Sequence, residues 1–250
     1  MPALDFAFTP WTDVEARLTR PTVAVLPLGA VEQHGAHLPL TVDADLALGV
    51  ARAIADPLDA LLLPAMPYGD AWNNAAYPGT LSLSPATLRA AITDIGKGLQ
   101  EMGVSSLILL NGHFGNHEPM LLAARDLAGG GLPCLHLDYP GLAELAEKHC
   151  DSTPAAPHFY HADEVETSMM LALRPDAVRM ADAAPSYPTF PATFGAEPMQ
   201  LRSFNPSGVF GDPRPATANK GRAFIEGIAA NAAPIIAAFL HRHGIAVIEP

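Results

Sequence analysis

Two short apolar runs, each ending in a histidine-bearing turn, constrain this chain more than any other feature. The first is Thr22-Val23-Ala24-Val25-Leu26-Pro27-Leu28-Gly29 and the second is Ser105-Ser106-Leu107-Ile108-Leu109-Leu110. Both read as buried strands, because an apolar run of this length bounded by turn residues needs cover on its faces. In open parallel sheets, sites form at the carboxyl ends of the strands. Chemistry is therefore expected in the residues just after each run.

After the first run come Glu32-Gln33-His34-Gly35-Ala36-His37-Leu38-Pro39-Leu40-Thr41-Val42-Asp43. A core has no use for so many polar groups, since each would need its own partner. Divalent metals do: carboxylate oxygen and neutral imidazole nitrogen are standard ligands for zinc, manganese and iron. Glu32 and His34 are two apart, so an extended segment points both to one side. Asp43 comes after a rigid Leu38-Pro39 step at which the chain can fold back, and it stands at the start of a helix expected over residues 43–55. Capping that helix and binding a metal both fit Asp43. A His-rich surface loop is the bland alternative for the cluster. After the second run come Asn111-Gly112-His113. His113 alone reads as a structural residue; beside the first cluster it reads as a ligand.

The remaining elements obey the same logic. Thr12 is expected to cap a short helix near residues 11–18, with Glu15 at the reciprocal position. A strand is expected over residues 61–67. It leads into a long loop, residues 68–80, with Trp72, Tyr77 and several amides, the kind of loop that lines sites or packs on itself. Ser84 and Pro85 open a helix that stops at Gly103. Helices are expected over residues 118–127, 141–149, from Ala162 onward, and over 217–240 with a kink near Pro234. A fourth strand is expected over residues 132–137. Residues 175–215 are Pro-rich and aperiodic, an excursion that either covers the site or meets a neighbouring subunit.

Glu166 stands apart from the acids around it. Asp163 and Glu164 suit the positive end of a helix dipole. Glu166 is surrounded by Val165, Met169, Met170 and Leu171, so its neighbours face a core, where an unpaired carboxylate is costly. A buried cation would remove that cost.

Composition bounds the partners. The 250 residues are 49% hydrophobic with a formal net charge of -12. That balance supports a sizeable core and excludes the basic footprint of nucleic-acid binding and an affinity for anionic membranes. The most apolar C-terminal stretch, residues 228–240, is too short for a bilayer span and contains Pro234. The stretch 1–10 has no basic region followed by an apolar one, so no signal peptide is expected. Cys134 and Cys150 lack metal-type spacing and read as reduced thiols, which makes the expected location cytoplasmic. No repeat or linker divides the chain, so one domain is expected over 1–250.

Three motifs together resemble the creatininase (creatinine amidohydrolase) family. They are Pro27-Leu28-Gly29-Ala30-Val31-Glu32-Gln33-His34-Gly35-Ala36-His37-Leu38-Pro39 with Asp43, then Asn111-Gly112-His113, then His161-Ala162 with Glu166-Thr167-Ser168, supported by Tyr77-Pro78-Gly79-Thr80-Leu81-Ser82. The resemblance implies a single α/β domain with a mostly parallel central sheet flanked by helices. It implies a metal-dependent hydrolase of C–N bonds in cyclic amides or formamides, using water activated on the metal, and a homo-oligomer of hexameric type. Carried over by position, Glu32, Asp43 and His113 would hold one divalent ion (Zn, Mn or Fe), and His34 and Asp43 a second. In creatininase proper a glutamate two residues after the last histidine completes the second site; here that position is Gly115. Glu166 is then expected to complete it. Asp163 also stands where the family usually has glycine. His161 would give a proton to the leaving nitrogen, or orient Glu166 or a water, and the backbone amides of the Asn111-Gly112 turn would hold the oxyanion. His37 is read as structural. A ring-opening hydrolase of a sugar-derived substrate, a maturation peptidase using the same metals, and a non-catalytic metal-stabilised protein are the competing readings.

Overall fold

Each central strand alternates its side chains between two apolar layers, and that alternation organises the molecule. The computed structural model describes residues 3–246. Met1 and Pro2, which open the stretch read for a leader, lie outside the described residues, as do positions 247–250 of the expected domain. The strands are β1 (Leu4–Asp5), β2 (Val23–Leu28), β3 (Leu61–Leu62), β4 (Ser106–Asn111) and β5 (Cys134–Leu137). They form one sheet in the order β1-β3-β2-β4-β5, parallel throughout. The helices are α1 (Trp11–Arg17), α2 (Val42–Ala55), α3 (Pro85–Glu101), α4 (His117–Gly129), α5 (Leu142–His149), α6 (Glu164–Leu173) and α7 (Ala218–Arg242). Val23, Val25, Ile108 and Leu110 face α2, α6 and α7. Ala24, Leu26, Leu107 and Leu109 face α3 and α4. Period-two alternation between two covered faces is what makes the interior of both strands apolar. The result is a single α/β domain.

β2 and β4 are neighbours at the centre, in register from Val23 opposite Ser106 to Leu28 opposite Asn111. The chain leaves β2 towards β3 and leaves β4 towards β5, on opposite sides. This is a point where the winding reverses, and it opens a crevice above the strand ends.

The structure adjusts several boundaries for identifiable reasons. Thr12 does not cap α1, because the helix already begins at Trp11 and the Pro10 carbonyl accepts from the Asp13 and Val14 amides. The ladder expected over residues 61–67 is confined to Leu61–Leu62, since Pro64 and Pro67 have no N–H to give. The chain still runs beside β2, with the Met66 amide on the Pro27 carbonyl at 2.9 Å. Ser84 caps α3 as expected, accepting from the Thr87 amide at 3.2 Å. α7 continues unbroken through Pro234. It is also longer than the apolar segment expected there: at 25 residues it is long and apolar enough, by length and composition, to cross a membrane. In this fold Phe224, Ile228, Ala232, Ile236 and Leu240 give it one buried face, packed on α6, α2 and α5.

Candidate metal centre

The site assembles because three segments end at one place. Beyond β2 the chain turns back on itself, with the Glu32 amide on the Leu40 carbonyl at 3.0 Å. The fold-back brings the first turn of α2, and so Asp43, beside Glu32. β4 delivers His113. Gly112 is required there, because a Cβ would lie 2.5 Å from the Asp43 carbonyl oxygen and 2.9 Å from the Tyr139 hydroxyl. α6 delivers Glu166 from its first turn, below His161 at the lip.

The side chains form overlapping trios whose ligand atoms lie within 4.8 Å of one another: Glu32, Asp43 and His113; His34, Asp43 and Glu166; and Glu32, His34 and His161. His113 Nδ1 stands 3.2 Å from Glu32 Oε1 and 3.1 Å from Asp43 Oδ2. His34 Nε2 stands 3.1 Å from Asp43 Oδ1 and 3.5 Å from Glu166 Oε2. The outer nitrogens are held elsewhere: His113 Nε2 by the Asp70 carbonyl at 2.8 Å, His34 Nδ1 by the Glu32 carbonyl at 3.2 Å. A carbonyl can only accept, so each ring has a proton on its outer nitrogen, and the inner nitrogen is the one that would give up its proton and offer a lone pair to an ion.

These residues fit a divalent ion. Buried His34 Nε2 and Asp43 Oδ2 have no hydrogen-bond partner despite their close neighbours, which is the geometry of donors converging on a common centre. The electrostatics agree. Burial works against charge on His34, but the Asp43 and Glu166 carboxylates prevail and lift it to about 10. Burial and the Asp43 and Asp163 carboxylates push Glu166 up to about 8, against the pull of His34. His113 is likewise raised by Glu32 and Asp43 against burial. Three carboxylates in a dry cleft attract positive charge, and a divalent cation answers that demand.

Sequence reasoning named the converging side chains but misplaced one other feature, the turn amides. At Gly115 the structure agrees with the expectation that Glu166 completes the second trio. A Cβ there would lie 2.8 Å from His113 Nε2, the nitrogen that faces away, and would collide with the Asp70 carbonyl. The trio of His34, Asp43 and Glu166 forms independently of position 115. The turn amides are not free for an oxyanion. Gly112 N–H donates to the Leu28 carbonyl at 2.8 Å and His113 N–H to Asn111 Oδ1 at 3.1 Å. His37 is buried with Nε2 3.0 Å from the Thr167 hydroxyl, outside all three trios.

His161 sits above the carboxylates, with Nδ1 3.7 Å from Glu32 Oε1 and its ring 4.4 Å from that of His34. Burial and the neighbouring His34 lower it to about 4. The excursion covers this side. Phe210 pairs with His161 through the backbone at 3.0 Å and packs with Phe159, Phe190, Phe194 and Phe204. Gln200 bonds the Trp72 carbonyl and the Ala76 amide, which ties the excursion to the aromatic loop. Two contributors were missed, Gln33 and Asn74; the amide-rich loop was the available signal for Asn74, whose Nδ2 donates to Glu32 Oε2 at 2.7 Å.

Residues 7–236 match the family model Creatininase, described as creatinine amidohydrolase. The chain belongs to the creatininase family. It is thus a metal-dependent amidohydrolase of the creatininase type. A creatinine amidohydrolase of Pseudomonas putida is 31% identical over 237 residues, covering 86% of this chain and 89% of the relative. A mycofactocin precursor peptide peptidase of Mycobacterium ulcerans (strain Agy99) is 30% identical over 212 residues, covering 79% and 78%. A crystal structure of creatinine amidohydrolase superposes with a TM-score of 0.81 at 29% identity, covering 94% of this chain and 97% of that one. Solved creatininases with the same fold include one described as Zn-Zn type and one as Mn.

Proposed function

We propose that this creatininase-family chain hydrolyses the C–N bond of a small amide, cyclic or formamide-like, at a centre of two divalent ions sharing Asp43. The observation that carries the reading is the pair of trios with Asp43 in common, one completed by Glu32 and His113, the other by His34 and Glu166. Ions held there would supply a water acidic near neutral pH and positive charge for a carbonyl oxygen. The chain's own groups do the rest. Glu32, Asp43 and Glu166 provide the negative charge that retains the ions. The carbonyls of Glu32 and Asp70 hold the two imidazoles in their binding tautomer. His161 lies beside Glu32, placed to face the leaving nitrogen. The aromatic loop and the Phe-rich excursion form the wall against which a substrate would be oriented. Zinc and manganese are both compatible with this mixed oxygen and nitrogen set, and a homo-oligomer is the expected assembly.

A second reading, a maturation peptidase, is favoured by one observation. Phe114, one residue after His113, is 91% exposed, an apolar side chain free to meet a longer substrate.

The test is metal content per chain, with turnover of creatinine, formamides, a sugar-derived lactam and short peptides, in wild type and Glu166→Ala. About two ions in wild type, falling to about one with loss of hydrolysis in the variant, supports the shared centre. Two ions retained in the variant removes Glu166 from the set. No metal and no turnover in wild type overturns the reading.

A further inference from the structure

Gln33 is 6% exposed, lies outside the trios, and has both ends of its amide engaged. Its Oε1 accepts from the Gly35 backbone N–H at 3.0 Å. A backbone N–H can only donate, so this contact settles which end of the amide is oxygen. The other end, Nε2, is 2.8 Å from His161 Nε2, 3.1 Å from Asn74 Oδ1 and 3.2 Å from the Gly208 carbonyl oxygen. Asn74 is oriented in the same way, because its Nδ2 donates to the Glu32 carboxylate. The Gln33 NH2 group therefore faces acceptors, with its shortest contact to His161. Two left-handed glycines shape this seat, Gly35 at φ 68° and Gly208 at φ 75°. A Cβ on Gly208 would collide with the Gln33 Oε1.

An amide NH2 cannot accept a hydrogen bond. At 2.8 Å, His161 Nε2 must present its lone pair, and a neutral imidazole then has its proton on Nδ1. That nitrogen is the one turned towards Glu32 Oε1, so a proton there withdraws His161 from the trio with Glu32 and His34 and leaves the two trios that share Asp43. We propose that Gln33 is a positioning residue that fixes His161 in the Nδ1–H tautomer, so that His161 offers the substrate a hydrogen-bond donor and not an acceptor. The hydrogen bonds Glu32–Asn74–Gln33–His161 couple this orientation to the Glu32 carboxylate through the aromatic loop. The consequence for substrate rests on the proposed function; the tautomer does not. With Nδ1–H turned inward, His161 serves negative charge developing on oxygen or a leaving nitrogen with a lone pair. It does not take the proton of the attacking water.

The test is long-range proton–nitrogen NMR of histidine-labelled, zinc-loaded protein, with His161→Asn used to assign the His161 signals. The expected result is an unprotonated Nε2 and a protonated Nδ1 in wild type. Gln33→Glu, whose carboxylate accepts where the amide donated, should reverse the two nitrogens. It should also lower kcat about 100-fold on whichever amide is turned over, with KM within about twofold. Gln33→Leu should leave a mixture of tautomers. A protonated Nε2 in wild type, or nitrogens unchanged in a folded Gln33→Glu, overturns the proposal. Should Gln33→Glu fail to fold, the wild-type spectrum and Gln33→Leu decide alone. Failure of every amide in the panel overturns the proposed function, while the nitrogen signals still test the role of Gln33 independently.

Discussion

Asp43 Oδ1 stands 3.1 Å from His34 Nε2, yet that buried nitrogen has no hydrogen-bond partner. Two ligand-type atoms held this close, with the trios on either side of Asp43, suit a cation placed between them. Asp43→Asn removes an anionic oxygen from both trios at once. On the proposed two-ion centre, bound metal should fall from about two ions per chain to below one, and hydrolysis should fall by more than the roughly 10- to 100-fold typical of losing an outer partner. Elemental analysis and turnover check this. Full metal occupancy in Asp43→Asn would show that the two trios do not depend on a shared carboxylate.

Gly115 offers a second test, because the resemblance and the geometry point in different directions. Restoring a glutamate there is the obvious route to creatinine turnover. The backbone forbids a cheap version of it: the new Cβ would collide with the Asp70 carbonyl and crowd His113 Nε2. Gly115→Glu and Gly115→Ala should each lose about 1–3 kcal/mol in denaturant unfolding. Metal affinity should fall as well, since the Asp70 carbonyl that holds His113 must move. Undiminished stability in Gly115→Ala would mean that the 68–80 loop yields freely.

How far the sequence could be read depends on the range of each signal. β2, β4 and their covering helices are visible because the pattern of one strand or helix lies within a few residues. The ligands are visible for the same reason: Glu32, His34 and Asp43 share one stretch, and His113 and Glu166 each sit against an apolar run. β1 was invisible because a ladder of Leu4–Asp5 leaves no periodicity to detect. The task of Gln33 was invisible for a different reason. Its partners lie 41, 128 and 175 positions away, and only the closed crevice brings them together. The Asn111-Gly112 amides misled because a strand end and a free turn look alike in sequence, whereas the ladder to Leu28 extends to Gly112.

Glu164 and Lys220 make a third test. The Glu164 carboxylate is 1% exposed and accepts from Lys220, from Ser152 Oγ at 2.6 Å and from the amides of Asp151 and Ser152. Burial alone would raise its pKa, but Lys220 and these donors prevail and hold it below the usual carboxylate range. A carboxyl depressed in the folded state stabilises above its unfolded pKa, and that stability is lost as pH falls through the folded value. Glu164→Ala should cost about 1–3 kcal/mol near neutral pH, because it leaves the Ser152 hydroxyl and the amides of Asp151 and Ser152 without their acceptor, while Lys220 keeps Asp151 and the Pro215 carbonyl. As pH falls below the ordinary carboxylate range the variant's unfolding free energy should fall less steeply than that of wild type. Parallel acid limbs in the two proteins would remove Glu164 from the acid response.

The cysteines supply the last prediction. Burial pushes the Cys134 thiol up to about 12. Burial, with the Glu164 and Asp163 carboxylates nearby, pushes Cys150 to about 12 as well. At pH 8 the thiolate fraction of each is roughly a thousandfold below that of an ordinary thiol with a pKa near 8.5. Native protein should therefore react slowly with a disulfide reagent, and unfolded protein should release both thiols at once. The same shift contributes to the alkaline stability, alongside the raised hydroxyls of Tyr77, Tyr139 and Tyr160. The unfolded chain gives up these protons from about pH 8.5, the folded chain only near 12. The stabilisation is complete below the lower value and is lost as pH rises through that window. A Cys134→Ala, Cys150→Ala double variant should have a flatter alkaline limb in unfolding experiments. Fast modification of either thiol in the native protein at pH 8 would show that its neighbourhood opens to solvent.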